Sequence, residues 1–119
     1  MRGIYVVAPH AQWIIEQKKK ALLKKRYYPG MINIPLALVG PEGILGIILL
    51  EEPKLITRKE FEKLKALHKV TKEEAMKWWG FPDKLYLYPI KIIERFSEPI
   101  PFKPRPGTQT FIRTVVKGG

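Results

Sequence analysis

Six basic residues fall within nine positions, Lys18-Lys19-Lys20 and then Lys24-Lys25-Arg26, and Tyr27 and Tyr28 follow directly. Phosphate recognition asks only for positive charge within reach of an anion and tolerates flexible stems, so Lys19, Lys20, Lys24, Lys25 and Arg26 are candidate phosphate contacts. A solvated charged face is the plainer reading of the same run. Basic grooves that hold single-stranded nucleic acid also carry aromatic platforms for the bases, which brings in the neighbouring tyrosines. Successive residues of a strand face opposite ways, so one of the two tyrosines serves. Tyr28 is the candidate, with Trp13, on the N-terminal flank of the run, as a second aromatic.

Other chemistries find less to work with. The chain has no cysteine, which removes disulfides, thiolate zinc sites and cysteine nucleophiles together. His10 and His68 lie far apart without ligand-spaced partners, so neither a metal nor another cofactor is expected. Glu73 and Glu74 are accounted for by the start of a helix. Trp78 and Trp79 close that helix, where core packing is the simpler role, with one of the pair left outside.

The charge is large and uneven. Among 119 residues, 22 Lys and Arg face 11 Asp and Glu, giving a net charge of +11 and a pI near 10.0. Residues 10–30 hold the six bases against Glu16 alone, and residues 99–119 hold Lys103, Arg105, Arg113 and Lys117 with no acid. The middle of the chain is balanced. A lysine-rich thermophile surface would balance Lys with Glu throughout, which these ends do not do. A polyanion is therefore the expected partner, because neutralising phosphates releases condensed counterions whatever the sequence.

The elements that must position these residues form one domain, 1–119, since this length supports a single core. With 45% hydrophobic residues the chain is expected to fold. No apolar run spans a bilayer and Met1-Arg2-Gly3 does not open a signal peptide, so a soluble, cytoplasmic protein away from membranes is expected. Nothing in the sequence sets an oligomeric state.

Ile4–Val7 suits an opening strand, ended by Pro9. From His10 to Arg26 propensity asks for a helix, yet Lys18 falls on its apolar stripe of Ala11, Ile14, Ile15 and Leu22. Pro29-Gly30 is a turn. Met31–Val39 and Ile44–Leu50 read as two strands apolar on both faces and joined by Gly40-Pro41-Glu42-Gly43. Pro35 pushes the first towards an edge or a bulge, and Gly46 marks a bend or a close backbone approach in the second. Thr57-Arg58-Lys59-Glu60 and Thr71-Lys72-Glu73-Glu74 are capping boxes opening two short helices, which present Phe61, Leu64 and Leu67, and Ala75, Trp78 and Trp79. Leu85–Ile93 is a central strand, Glu98–Gly107 an extended proline-rich connection without ladder donors, and Thr108–Val116 a closing strand. This order gives an α+β fold: a small mixed β-barrel, or pseudobarrel, with short helices at its ends.

The same order resembles the ASCH domains of the PUA-like superfamily, and the related EVE domains. The resemblance rests on the Ile4–Val7 strand, the helix around Trp13-Ile14-Ile15, the basic run, the Gly46–Glu51 strand and the Tyr86–Ile93 strand. It implies that the helix ends near Gln17 and that the run turns into a cleft. Lys19 and Lys20 then look like the lysines of the family's Gly-Lys-Lys-Thr-like turn, and Arg26, or Lys25, like its arginine. The motif's Gly, Thr and Glu stand here as Lys18, Ala21 and Leu22 or Leu23. Some ASCH proteins resemble small amidohydrolases or ribonucleases, but without a hydroxyl at position 21 no lysine-activated threonine nucleophile forms there. Lys20 and Glu51, the latter matching the family's strand glutamate, remain the weak catalytic candidates. Three functions are therefore on the table: nucleic-acid binding with RNA favoured, hydrolysis of ASCH type, and a non-catalytic protein-interaction adaptor.

Overall fold

The structure, a computed structural model, describes residues 1–103 and 109–112. The described elements are β1 (Gly3–Val6), α1 (His10–Ile15), β2 (Ala21–Lys24), β3 (Leu36–Gly40), β4 (Gly43–Leu50), β5 (Lys54–Thr57), α2 (Arg58–Lys63), α3 (Lys65–His68), α4 (Lys72–Trp79), β6 (Lys84–Ile100) and β7 (Gln109–Ile112). The strands run in the order β2-β6-β4-β3-β1-β7, with β5 beside β6. β1 and β3 are parallel and the other neighbours antiparallel. The sheet curls around Ile4, Val6, Leu22, Leu36, Leu38, Leu50 and Tyr88, and α1 closes one end with Ile14 and Ile15. A second cluster packs α2–α4, through Phe61, Val70 and Ala75, onto Leu23, Ile56, Leu85 and Leu87. This is the expected α+β pseudobarrel with short helices at its ends.

The helix from His10 stops at Ile15, well short of Arg26. Gln17 takes the left-handed conformation (φ 63°), and the N–H groups of Lys18 and Lys19 fold back to the Trp13 carbonyl at 2.8 and 3.0 Å. Ala21–Lys24 then pairs antiparallel with Pro89–Tyr86, burying both faces. Tertiary pairing overrides the helical preference of Lys, Ala and Leu. The left-handed residue, the one a glycine favours, is Gln17 rather than Lys18.

Four further differences follow from packing. Pro29–Met31 forms a 3-10 turn and the next strand starts only at Leu36, so Pro35 lies outside the ladder; β3 is interior rather than an edge, and its register against β4 shifts between Leu38 and Val39, beyond the proline. β5 was not expected, because two of its four residues are polar and only Ile56 is buried. The first capped helix breaks at Leu64 into α2 and α3, leaving Leu67 37% exposed rather than in the core. β6 runs on through Glu98 and Pro99 to Ile100, which pairs with Ile44. Both capping boxes form as expected, each Thr hydroxyl accepting the N–H of its Glu60 or Glu74. At Gly46 the backbone approach is as close as expected: a Cβ would collide with the Glu94 carbonyl and stand 2.9 Å from Ile15 Cδ1. Of the basic C-terminal segment, Arg105, Arg113 and Lys117 lie outside the described residues, as do both ends of the Thr108–Val116 strand.

Candidate nucleic-acid interface

The turn between α1 and β2 delivers the basic run to the rim of the barrel. Lys20 is clamped through its backbone: its N–H donates to the Leu67 carbonyl at 2.8 Å, and its own carbonyl accepts from Ile90 N–H at 3.0 Å. Its side chain is exposed. Beside it opens a cleft of about 290 Å³ lined by Ile14, Gln17, Lys19, Lys20, Ile90, Lys91 and Ile92. Lys91 is also exposed, so two surface lysines share the cleft with an apolar floor of the half-buried Ile90 and Ile92 over the fully buried Ile14. Such a site takes a planar apolar group below and an anion above. Lys91 carried no signal in the sequence, since it is a lone lysine in a strand that reaches the run only through pairing.

Two lysines of the run are not surface cations, which corrects their place among the phosphate contacts. Lys19 is 1% exposed and its Nζ donates to the His68 carbonyl. Loss of hydration pushes its amine down to about 7, the nearby Glu74 carboxylate opposing the fall. Lys24 is buried too, with Nζ 4.8 Å from the centre of the Phe111 ring and 5.9 Å from that of Tyr28, and burial lowers it to about 8. Alternation explains Lys24, which shares the face of Leu22, pointing into the barrel, and whose cation rests on the Tyr28 and Phe111 rings; Lys19 is turned inward by the turn that ends α1. Lys25 and Arg26 follow the strand and are exposed.

The pocket around Lys19 is built by α1, α3 and α4. His68 Nδ1 accepts the Val70 N–H at 2.9 Å while Nε2–H donates to the Phe61 carbonyl at 2.8 Å, so both ring nitrogens are satisfied only in the neutral form. Burial lowers His68 to about 4, with the bond to the Phe61 carbonyl opposing the fall and the Lys19 charge adding to it. His10 is fully buried, with Nε2 2.8 Å from a Glu74 carboxylate oxygen and the ring edge-on to Trp13 and Trp78, at 5.1 and 5.5 Å between centres. Desolvation and the Lys19 charge lower its pKa, against the pull of Glu74. Trp13 is thus half-buried packing for His10 and lines no part of the cleft. Trp78 and Trp79 are both half-buried and meet edge-on.

The tyrosines part as adjacent residues must. Tyr28 turns inward: its N–H donates to the Tyr88 hydroxyl at 2.9 Å and its ring stands edge-on to Phe111, 4.9 Å away. Tyr27 faces solvent. Glu51 is exposed, but its N–H donates to the Pro89 carbonyl while Lys20 binds the Ile90 N–H. Those two groups point to opposite flanks of β6, so the backbones of Lys20 and Glu51 stand about 10 Å apart across the strand. No group of three or more His, Asp or Glu side chains could hold a metal among the described residues. No described helix is long and apolar enough to cross a membrane.

No family model matches the sequence, and no curated protein matches it. Solved structures do. The crystal structure of the ASCH protein from Zymomonas mobilis superposes with a TM-score of 0.62 at 14% identity, covering 93% of this chain and 87% of that one. Two single-residue variants of the same protein match equally, with TM-scores of 0.61 and 0.62, 14% identity and 93% of this chain covered.

Proposed function

From the premise that this chain has the fold of an ASCH domain over nearly its whole length, we propose that it binds single-stranded nucleic acid, RNA in preference. Phosphates lie against Lys20 and Lys91, and one base rests on the isoleucine floor between them. The observation that carries this reading is the cleft itself, in which exposed cations flank an apolar surface at the point where the most basic segment leaves α1. Single strands and loops offer unstacked bases to such a site, whereas duplex bases are hidden in the stack. Lys25 and Arg26 extend the basic track past the end of β2.

Fluorescence anisotropy of a labelled single-stranded RNA, its duplex and the matching DNA, each titrated at several salt concentrations, tests the reading. The single-stranded RNA is expected to bind most tightly and to keep its advantage at high salt. Replacing Lys20 and Lys91 together by Ala is expected to weaken binding and to lower the slope of log K against log salt by about 1.4, near 0.7 for each phosphate no longer neutralised. Equal, weak binding of all three with one steep slope would reduce the charge to a surface property and overturn the proposal.

A further inference from the structure

We infer that Tyr27 and Tyr86 form a second contact for the same nucleic acid, a stacking platform for a base, at the opposite end of β2 from the cleft. This rests on the reading of the cleft as a single-strand site. The two rings are stacked, 5.9 Å between centres and 29° between planes. Tyr86 rests half-buried on the barrel core, and Tyr27 covers it while remaining 43% exposed, so one ring face of the pair is open. The Tyr27 hydroxyl donates to a Glu52 carboxylate oxygen at 2.7 Å. A surface tyrosine normally samples several rotamers; this one is held at its edge by a charged acceptor and at its back by a ring. Its ordering entropy is already lost before any ligand arrives, which favours binding.

The surroundings select the occupant. Leu55, paired with Tyr86 across the ladder and 43% exposed, continues the apolar surface beside the rings. Lys25 and Arg26 precede Tyr27 directly, and both are exposed. Glu52 repels phosphate from the hydroxyl edge, so a nucleic-acid backbone passes on the Lys25 and Arg26 side and presents a base to the open ring face. Lys20 and Tyr27 are seven residues apart, at most about 23 Å of extended chain. One short single strand reaches both, within the roughly 4–16 nucleotides such proteins cover.

The test is a single-stranded RNA carrying 2-aminopurine, whose fluorescence falls on stacking, bound by the wild type, Tyr27→Ala and Tyr27→Phe, with folding checked by circular dichroism. Tyr27→Ala is expected to weaken binding about 5- to 150-fold and to abolish the quenching, with the salt slope unchanged. Tyr27→Phe, which keeps the ring and loses the Glu52 bond, is expected to retain the quenching. Wild-type binding with equal affinity and quenching in Tyr27→Ala would remove the platform and leave the cleft standing. Absence of wild-type binding would remove both. A concentration-dependent dimer that disappears in Tyr27→Ala, with RNA affinity unchanged, would give the patch to a second copy of the chain and overturn the inference.

Discussion

Replacing Lys19 by Met isolates the cost of an interior lysine, because Met keeps the apolar stem and removes the amine. In the folded chain the amine titrates near 7, against 10.5 for an ordinary lysine. Between those values the unfolded chain holds a proton that the native state lacks, so stability rises with pH across this window by up to about 1.4 kcal/mol per pH unit. The penalty is fully present below pH 7 and gone above 10.5. It amounts to about 4 kcal/mol at pH 7 and about 1 kcal/mol at pH 10. Against it stands the His68 carbonyl, which loses its donor in the variant at about 1–3 kcal/mol. Lys19→Met is therefore expected to be about 1–3 kcal/mol more stable than the wild type at pH 7, and about 0–2 kcal/mol less stable at pH 10. Guanidinium unfolding followed by tryptophan fluorescence at the two pH values reads this difference, and the titrating groups that do not interact with Lys19 cancel between the two proteins. A difference that stays constant from pH 7 to 10 would mean that the amine reaches water, and would refute the assignment of Lys19 to the interior.

Two further outcomes follow from the same packing. His68 titrates near 4 in the fold, so as pH falls from 6.5 to 4 the unfolded chain takes a proton that the native ring refuses. Stability should then drop by up to roughly 3 kcal/mol over that range, and His68→Asn should flatten the drop in urea midpoints measured at pH 7, 5.5 and 4.5. Gly46→Ala places a Cβ against the Glu94 carbonyl of β6, and a loss of about 1–3 kcal/mol in urea unfolding is expected; an unchanged midpoint would mean that the β4–β6 ladder yields there.

What could be read from the residues was mostly what is decided locally. Thr57 with Glu60 and Thr71 with Glu74 start helices through bonds that span three residues, and both formed. Gly46 signalled either a bend or a close neighbour because a glycine within a fully apolar strand packs no side chain, and the Glu94 carbonyl is that neighbour. The class of fold followed from strands apolar on both faces, which need layers on both sides. The early end of α1 was readable only through the family resemblance, and β2 itself was not read, because Ala21–Lys24 prefers a helix and becomes a strand by pairing with residues more than sixty positions later. The site divides in the same way. Lys20, Lys25 and Arg26 were legible as charge, whereas the burial of Lys24 depends on which way β2 faces and that of Lys19 on the turn that ends α1. Lys91 and Tyr86 come to the run across the sheet from β6, and no local pattern announces that meeting.

β6 takes part in more of the molecule than any other described strand. Its first half is bonded to β2 on one side and β5 on the other, and its second half to β4. Leu85 and Leu87 pack under α2–α4 while Tyr88 fills the barrel, so successive residues of one strand belong to separate hydrophobic clusters. Neither cluster can come apart while this strand keeps its neighbours. The chain should therefore melt in one transition, and amide hydrogens near Tyr88 should exchange with solvent only through global opening. The proposed cleft and tyrosine platform both include residues of β6, so a nucleic acid that bridged them would slow that exchange at Leu87, Tyr88 and Ile90, the amides of the strand on either side of Pro89.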